Sequence, residues 1–469
     1  MADIRNRAFA AHGAGSTVVA LFLALAPCVV AGAQPATTTP DLRPAGSETV
    51  PAPADLANLE ALYRTLHANP ELSLHEEKTA ARIAHELGEA GFAVTEHVGG
   101  FGVVGVLANG PGPTVLVRTE LDALPVAEAT GLPYASAVKT KDDSGHEVSV
   151  MHACGHDVHM TVLVGTARAL AAARAAWSGT LVMIAQPAEE RGLGAKAMLD
   201  AGLFTRFPRP QYCLALHVSP TLPAGTVGVV SGYAFANVDS VDLVIRGVGG
   251  HGASPHKVKD PVVLAAEVVV ALQTLVSREM DPTEPAVVTV GSIHGGATYN
   301  VIPDDVHLQI TVRSYAPATR TALLAGIERI ARGIAQAAGV PPDRMPLFHL
   351  AEGFTPSLYN DPVLAERLMR RWRAAIGAAN VSSLKPEMIG EDFSLYGLAE
   401  PRVPICMFRL GSVAPERVAE AAQSGASLPS LHSSAYRPEP APTIATGVRA
   451  MSEAVLELLE SHARAAAGP

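Results

Sequence analysis

The chain has 469 residues, 48% of them hydrophobic, and a net charge of −10. That length allows two or more domains with full cores, and that composition gives no case for disorder. An acidic balance without a dense Lys/Arg run excludes nucleic acid as the partner, because phosphate binding needs a basic surface.

The first residues read as a targeting segment. Arg5 and Arg7 give a positive start, 16–26 is a largely apolar run, and Ala31-Gly32-Ala33 has the small-x-small pattern of a signal-peptidase site. A signal peptide over 1–33 is expected, with the protein exported to the periplasm or secreted. The apolar run is short for a membrane span, so membrane contact is expected only through an uncleaved signal. Pro27 before Cys28 does not fit lipoprotein processing, which wants a small residue there. Cleavage would leave Cys154, Cys213 and Cys406, an odd and sparse set that makes no disulfide framework.

Residues 34–53, rich in Pro, Thr and Ala, read as a linker. The pattern turns helical from Asp55, and 76–90 is a second amphipathic helix closed by Gly91. Strands are predicted over 92–97, 103–107 and 114–118. The last runs into Thr119-Glu120-Leu121-Asp122-Ala123-Leu124-Pro125. Glu120 by itself reads as a solvated turn residue. Asp122 reads as a carboxylate at a strand end that orients a ligand histidine.

After a charged loop over 139–148 comes Met151-His152-Ala153-Cys154-Gly155-His156-Asp157, followed by an alanine-rich helix over 158–177. Cys154 and His156 are side chains that zinc-like ions prefer, and Gly155 allows a tight turn between them. A lone Cys-x-His is more often a buried cysteine beside a loop histidine. Its company changes that reading. A strand over 180–186 runs into Pro187-Ala188-Glu189-Glu190, and another over 212–216 ends in His217. Ligands in open α/β sheets sit at the carboxyl ends of strands, where these residues fall. The alternation implies an α/β fold with a mainly parallel, doubly covered sheet, the first part of a catalytic domain over 54–232.

A different pattern occupies 233–350. A strand over 241–248, a helix over 261–278, strands over 286–293 and 306–312, a helix over 319–338 and a strand over 346–350 give a β-α-β-β-α-β order. That is the ferredoxin-like arrangement, read here as an inserted α+β lid domain. It carries Gly249-Gly250-His251-Gly252, Asn300 and Arg313. His251 and Arg313 are of the type that a mobile domain closes on an anionic substrate. The catalytic domain resumes over 351–469 with helices at 362–376 and 443–462. Glu391-Asp392 and His432 fall in loops there, His432 as a candidate late metal ligand.

Taken together, these segments resemble the metal-dependent aminoacylase and carboxypeptidase superfamily. More closely, they resemble its zinc-peptidase-like amidohydrolase branch of hippurate hydrolase and the indole-acetyl-amino-acid hydrolases. The resemblance runs from Leu59 to Leu458 and includes Asn69-Pro70-Glu71-Leu72-Ser73, Leu216-His217-Val218 and Asn300-Val301-Ile302-Pro303-Asp304. It implies a two-metal site of Cys154, His156, Glu190, His217 and His432, filled by zinc, manganese, cobalt or nickel. It further implies Glu189 as general base, Asp122 as the orienting carboxylate, and His251 as a lid histidine at the reacting carbonyl, commonly in the partner subunit's site. Asn300 and Arg313 match positions that hold the substrate's carboxylate, and a homodimer or higher homo-oligomer is implied.

The expected reaction is cleavage of an N-acyl amino acid, hippurate-like, by a metal-bound hydroxide with Glu189 taking and returning the proton. A dipeptide is the nearest competing substrate. Two rivals come from other classes. Cys154 as nucleophile with His156 as base leaves Glu190 and His217 without a role. A non-catalytic exported metal- or solute-binding protein gives no reason for adjacent glutamates at a strand end.

Overall fold

The computed structural model describes residues 53–351 and 353–466. The signal segment over 1–33, Cys28 and all of the linker but Pro53 lie outside the described residues.

Val115 and Val117 pack into one apolar cluster and Leu116 between them into another, so the strand Thr114–Glu120 buries both faces. Such a strand needs cover on both sides, which is why a hydrophobic run, not an alternating one, marks it. It lies inside an eight-stranded sheet whose spatial order is 93–95, 103–109, 179–186, 114–120, 212–223, 405–413, 227–229, 381–383. The four strands from 179–186 to 405–413 are mutually parallel, and 381–383 is parallel to 227–229. The pairs 93–95/103–109, 103–109/179–186 and 405–413/227–229 are antiparallel. The sheet is thus mainly parallel, and one of its faces is packed by Pro53–Ala68, His156–Ala172, Pro362–Ile376 and Pro440–Ala466.

Several strand and helix boundaries differ from the sequence-based expectation: the strand expected over 212–216 is Tyr212–Pro223, with His217 inside it and not at its end, and two other differences shift polar side chains. The helix predicted over 158–177 is His156–Ala172, so His156 opens it. The strand predicted to stop at Arg118 continues to Glu120. The strand Ile405–Val413, buried along its whole length beside 212–223, has no counterpart among the predicted elements. Arg409 and Gly411 interrupt its apolar run and hide it.

The remaining large sheet has the spatial order 286–294, 305–314, 237–246, 347–350, antiparallel throughout. With Pro261–Thr274 and Pro317–Ala337 this is the β-α-β-β-α-β unit, and its core of Val241, Leu243, Leu264, Val268, Leu308, Ile310, Leu323 and Ile327 is separate from the others. The charged segment 139–148 folds as a two-stranded hairpin, Lys139–Lys141 with Glu147–Ser149.

Candidate metal centre and active site

Glu190 follows the end of the strand 179–186, His217 lies within the strand 212–223, His156 opens the helix His156–Ala172, and Cys154 and His432 lie in turns. Gly155 adopts φ 78°, and a Cβ there would come within 2.6 Å of Val218 Cγ2. Only glycine allows the chain to turn so tightly between Cys154 and His156. Ala188, with φ 49°, makes the corresponding turn before Glu189 and Glu190. Glu76 Oε1 accepts a hydrogen bond from the Ala188 N–H at 2.8 Å and holds it.

Cys154 Sγ lies 3.5 Å from His217 Nε2 and 3.3 Å from His432 Nε2. Glu190 is 3.4 Å from His432 Nε2 through Oε2 and 3.8 Å from His156 Nε2 through Oε1. His156 Nδ1 is 2.8 Å from the Asp122 main-chain oxygen, and His217 Nδ1 is 2.9 Å from that of Val218. A carbonyl oxygen only accepts, so both Nδ1 atoms carry the proton and both Nε2 lone pairs point inward. This histidine geometry, with the outer nitrogen tied down, is the one metal ligands show.

The residues fit a metal on a further observation. His156 Nε2 and Glu190 Oε1 are buried without any hydrogen-bond partner, although such atoms are costly to leave unpaired. Five N, S and O donors thus converge at separations that ions bonded at about 2.0–2.3 Å would bring together.

The electrostatics agree. Burial, then the charges of Glu190 and Glu189, push the Cys154 thiol well up, so a thiolate there needs a cation. His217 is pushed well below its usual range by burial and by His159, which keeps it neutral. Burial lowers His156, but the Asp122 hydrogen bond and the Glu120 charge outweigh it and raise it to about 10. A proton and a cation compete for that one lone pair. Glu189 is pushed well above the carboxylate range by burial, then by Glu391 and Glu190.

Asp122 is fully buried beside the centre, two residues past the end of the strand Thr114–Glu120. It accepts from Ser73 Oγ at 2.7 Å and from the Glu190 N–H at 3.0 Å, with its carboxylate 3.6 Å from His156 Nδ1. Glu120 is a correction to the sequence reading. It is wholly buried, ion-paired with Arg118, and accepts from His159 Nδ1 at 2.9 Å. His159 Nε2 in turn accepts the Val218 N–H at 2.9 Å, next to His217. Arg118 also binds Glu391 at 2.8 Å and Asp392 at 2.9 Å. The two extra strand residues turn Glu120 into this layer, where the Arg118 guanidinium neutralises it.

Cys154, Glu189, Glu190, His217, His432 and Arg313 all line one cavity of about 630 Å³, with His156 buried behind them. His251 and Asn300 lie beside each other, since the Gly252 N–H donates to the Asn300 carbonyl at 2.9 Å, but neither lines that cavity. Both are exposed. Sequence reasoning did not single out Arg118, His159, Glu76 or Arg409. Only the length of the buried strand Thr114–Glu120 could have pointed to Arg118.

Donor side chains at the strand ends of an α/β sheet, with an uncommitted glutamate beside them, define a metal-dependent hydrolase. Residues 116–433 match the model of peptidase family M20/M25/M40, and the chain belongs to that family. It is 40% identical over 290 residues to hippurate hydrolase of Campylobacter jejuni, covering 61% of this chain and 73% of that one. It is 37% identical over 358 residues to N-acetyldiaminopimelate deacetylase of Leuconostoc citreum, covering 75% and 88%. A Bacillus subtilis structure described as a dinuclear metal binding peptidase from the M20 family superposes with a TM-score of 0.68 at 29% identity, covering 86% of this chain and 99% of that one. The protein is a metal-dependent amidohydrolase.

Proposed function

We propose that the protein is an exported hydrolase of N-acyl amino acids, hippurate-like, releasing a carboxylic acid and a free amino acid. The observation that carries this reading is the convergence of metal donors, Glu189 and Arg313 on one cavity. Cys154, His156, Glu190, His217 and His432 would hold two divalent ions of zinc, manganese, cobalt or nickel. When bound, such ions polarise an amide carbonyl and make water more acidic.

The chain's own residues do the rest. Glu189, with a pKa raised by burial and neighbouring carboxylates, accepts the proton of the attacking water and passes it to the leaving nitrogen. Asp122 keeps His156 and the Glu190 main chain in place. Arg313, whose Nη1 donates to the Met388 carbonyl at 2.9 Å, receives the substrate carboxylate from the lid over 233–350.

His251 and Asn300 would serve the site of a second copy, contacting its substrate across a dimer formed by the inserted domain. Supporting this are apolar side chains left exposed on that domain: Val263 and Val270 on its first helix, and Ile293 and Val301 on its strands. Export rests on the N-terminal pattern of Arg5, Arg7, the apolar run and Ala31-Gly32-Ala33.

The deciding assay measures amino-acid release from N-acetyl, N-benzoyl and long-chain acyl amino acids and dipeptides, with and without chelator. Chelator-sensitive release from N-acyl amino acids is expected. Release from dipeptides alone would overturn the substrate assignment. Sedimentation of the purified protein checks the dimer, and the N-terminal sequence of the exported form checks cleavage.

A further inference from the structure

Two cavities stand back to back where the inserted domain joins the catalytic domain. The two connecting segments pair there: the Val238 N–H donates to the Thr355 carbonyl at 2.9 Å, and the Thr355 N–H to the Val238 carbonyl at 3.3 Å. Side chains of an extended segment alternate between its two sides. Accordingly Val238, Gly353 and Thr355 line the metal cavity, while Asn237, Phe354 and Pro356 line a second cavity of about 840 Å³. The turn 391–394 divides likewise, with Glu391 and Asp392 on the first cavity and Ser394 on the second.

The hydrolytic mechanism uses nothing in this second cavity. Its walls come from both domains, with Arg320 on the inserted helix Pro317–Ala337 and Tyr359 and Leu398 on the catalytic side. Aromatic rings dominate part of the wall. Tyr233 and Tyr359 meet edge to face at 4.9 Å between centres, and the Arg320 guanidinium lies 3.8 Å from the centre of the Phe354 ring. Asp239 takes the Nε and Nη2 of Arg320, at 2.8 and 2.6 Å. Arg402 is less committed. It is 72% exposed, and its contact with Glu400 at 3.6 Å is a solvent-screened pair of little worth. Asp361, the acidic residue of this lining, accepts the Leu364 N–H at 2.8 Å as the cap of the helix Pro362–Ile376. The Ser394 hydroxyl is buried in the wall without a hydrogen-bond partner, so it has a donor to give.

We propose that this cavity is a second ligand site that takes a small aromatic carboxylate and, when filled, restrains the inserted domain and slows turnover. A concave space between domains, walled by rings with a few polar groups, is where small molecules bind. The ligand's ring packs among Tyr233, Phe354 and Tyr359, and its carboxylate meets Arg402. Such a ligand joins the inserted helix to the catalytic segment 394–405, across the hinge ribbon that carries Val238 and Thr355 into the metal cavity. It favours the one domain arrangement it fits, against the movement that binding and release of substrate require. The kinetic half of the inference rests on the proposed N-acyl amino acid activity, and the binding half does not. An aromatic acid is also what a hippurate-like substrate releases, so the site answers to accumulated product.

The test titrates benzoate, with acetate beside it, into the metal-loaded wild type and into Arg402→Gln and Leu398→Trp by calorimetry. Leu398 is 40% exposed, and a larger ring there fills the cavity. Benzoate should bind and acetate should not. Arg402→Gln should weaken benzoate binding about tenfold, and Leu398→Trp should abolish it. Initial rates on an N-acetyl amino acid, whose products contain no benzoate, are then measured with benzoate added. The wild type should lose kcat about fivefold at saturating benzoate with KM little changed, and Arg402→Gln should escape at the same concentration. No benzoate binding to the wild type overturns the inference without recourse to a variant. Binding that both variants leave intact, with competitive inhibition, also overturns it and places benzoate in the metal cavity. Equal binding of acetate overturns the ligand class, and variant-sensitive binding with kcat unaltered overturns the restraint. No turnover of any N-acyl amino acid removes the proposed function, while the titrations still decide the site.

Discussion

At the scale of single residues, the adjacent glutamates both stand near His156 Nε2, Glu189 at 3.9 Å and Glu190 at 3.8 Å, but differ in their other neighbours, which suits them to the different work proposed. Glu190 stands 3.4–3.8 Å from two imidazoles and has an orphaned oxygen, as a ligand would. Glu189 stands beside Glu391 and Asp392, where neighbouring negative charge favours holding a proton. Glu189→Gln should lower kcat by about 10²–10⁴-fold, the usual worth of a general base, with metal content by atomic emission unchanged. Loss of metal in that variant would assign Glu189 to the ligand set instead. Asp122→Ala removes the carboxylate that holds the Glu190 main chain and stands 3.6 Å from His156 Nδ1, and its metal affinity should fall about 10–100-fold. Competition with a chromogenic chelator measures that drop.

At the scale of elements, the site depends on turns that present the donors. Gly155 sits where the strand-end loop enters the helix His156–Ala172. Gly155→Ala would force an L side chain to the left-handed region, at a cost of about 1–2 kcal/mol, and push its Cβ against Val218. Thermal melting should show that loss, together with weaker metal binding, because Val218 follows His217. The opposite turn at Ala188 is pinned from outside by Glu76, whose carboxyl is raised to about 7 chiefly by burial and then by Asp122, against the hydrogen bond from Ala188. Parallel strands were legible where an apolar run led straight into a reactive motif, as at 180–186 and 212–216. The strand Ile405–Val413 was not, since a charged residue in its middle looks like a break until its partner Glu387 is seen.

At the scale of the whole molecule, a buried charge cluster ties the first helix to the catalytic core. His67 Nδ1 is 2.6 Å from Asp157 and its Nε2 3.1 Å from Glu128, so both nitrogens meet acceptors and the ring is an imidazolium. Burial lowers its pKa, but the hydrogen bonds of Asp157 and Glu128 outweigh this and raise it to about 10. A histidine raised above its unfolded value of about 6.5 contributes stability that is complete below that pH and fades as pH climbs through the folded value. Melting temperature should therefore decline between about pH 6.5 and 10, and His67→Gln should be less stable at neutral pH with a flatter alkaline limb. Removing metal should lower the melting temperature as well, and restoring it should raise that temperature in step with metal concentration, since binding to the folded state alone stabilises it by mass action.

The sequence by itself determined the fold class, the inserted β-α-β-β-α-β unit and the candidate donors. Hydrophobic periodicity reports what each element buries, and strand-end motifs report where polar chemistry gathers. Cys154, His156, Glu190, His217 and His432 are legible as a set through the family resemblance, which matches them by position. Only the tertiary structure decided which groups meet. It brought Arg313 to the cavity and left His251 and Asn300 outside it in a single chain. It also joined Arg118 to Glu391 and Asp392 across more than 270 positions of sequence, and set Glu387 against Arg409. Periodicity carries no information about such long-range pairs, because a buried charge is acceptable only where folding supplies its partner, and that partner has no fixed spacing in the chain.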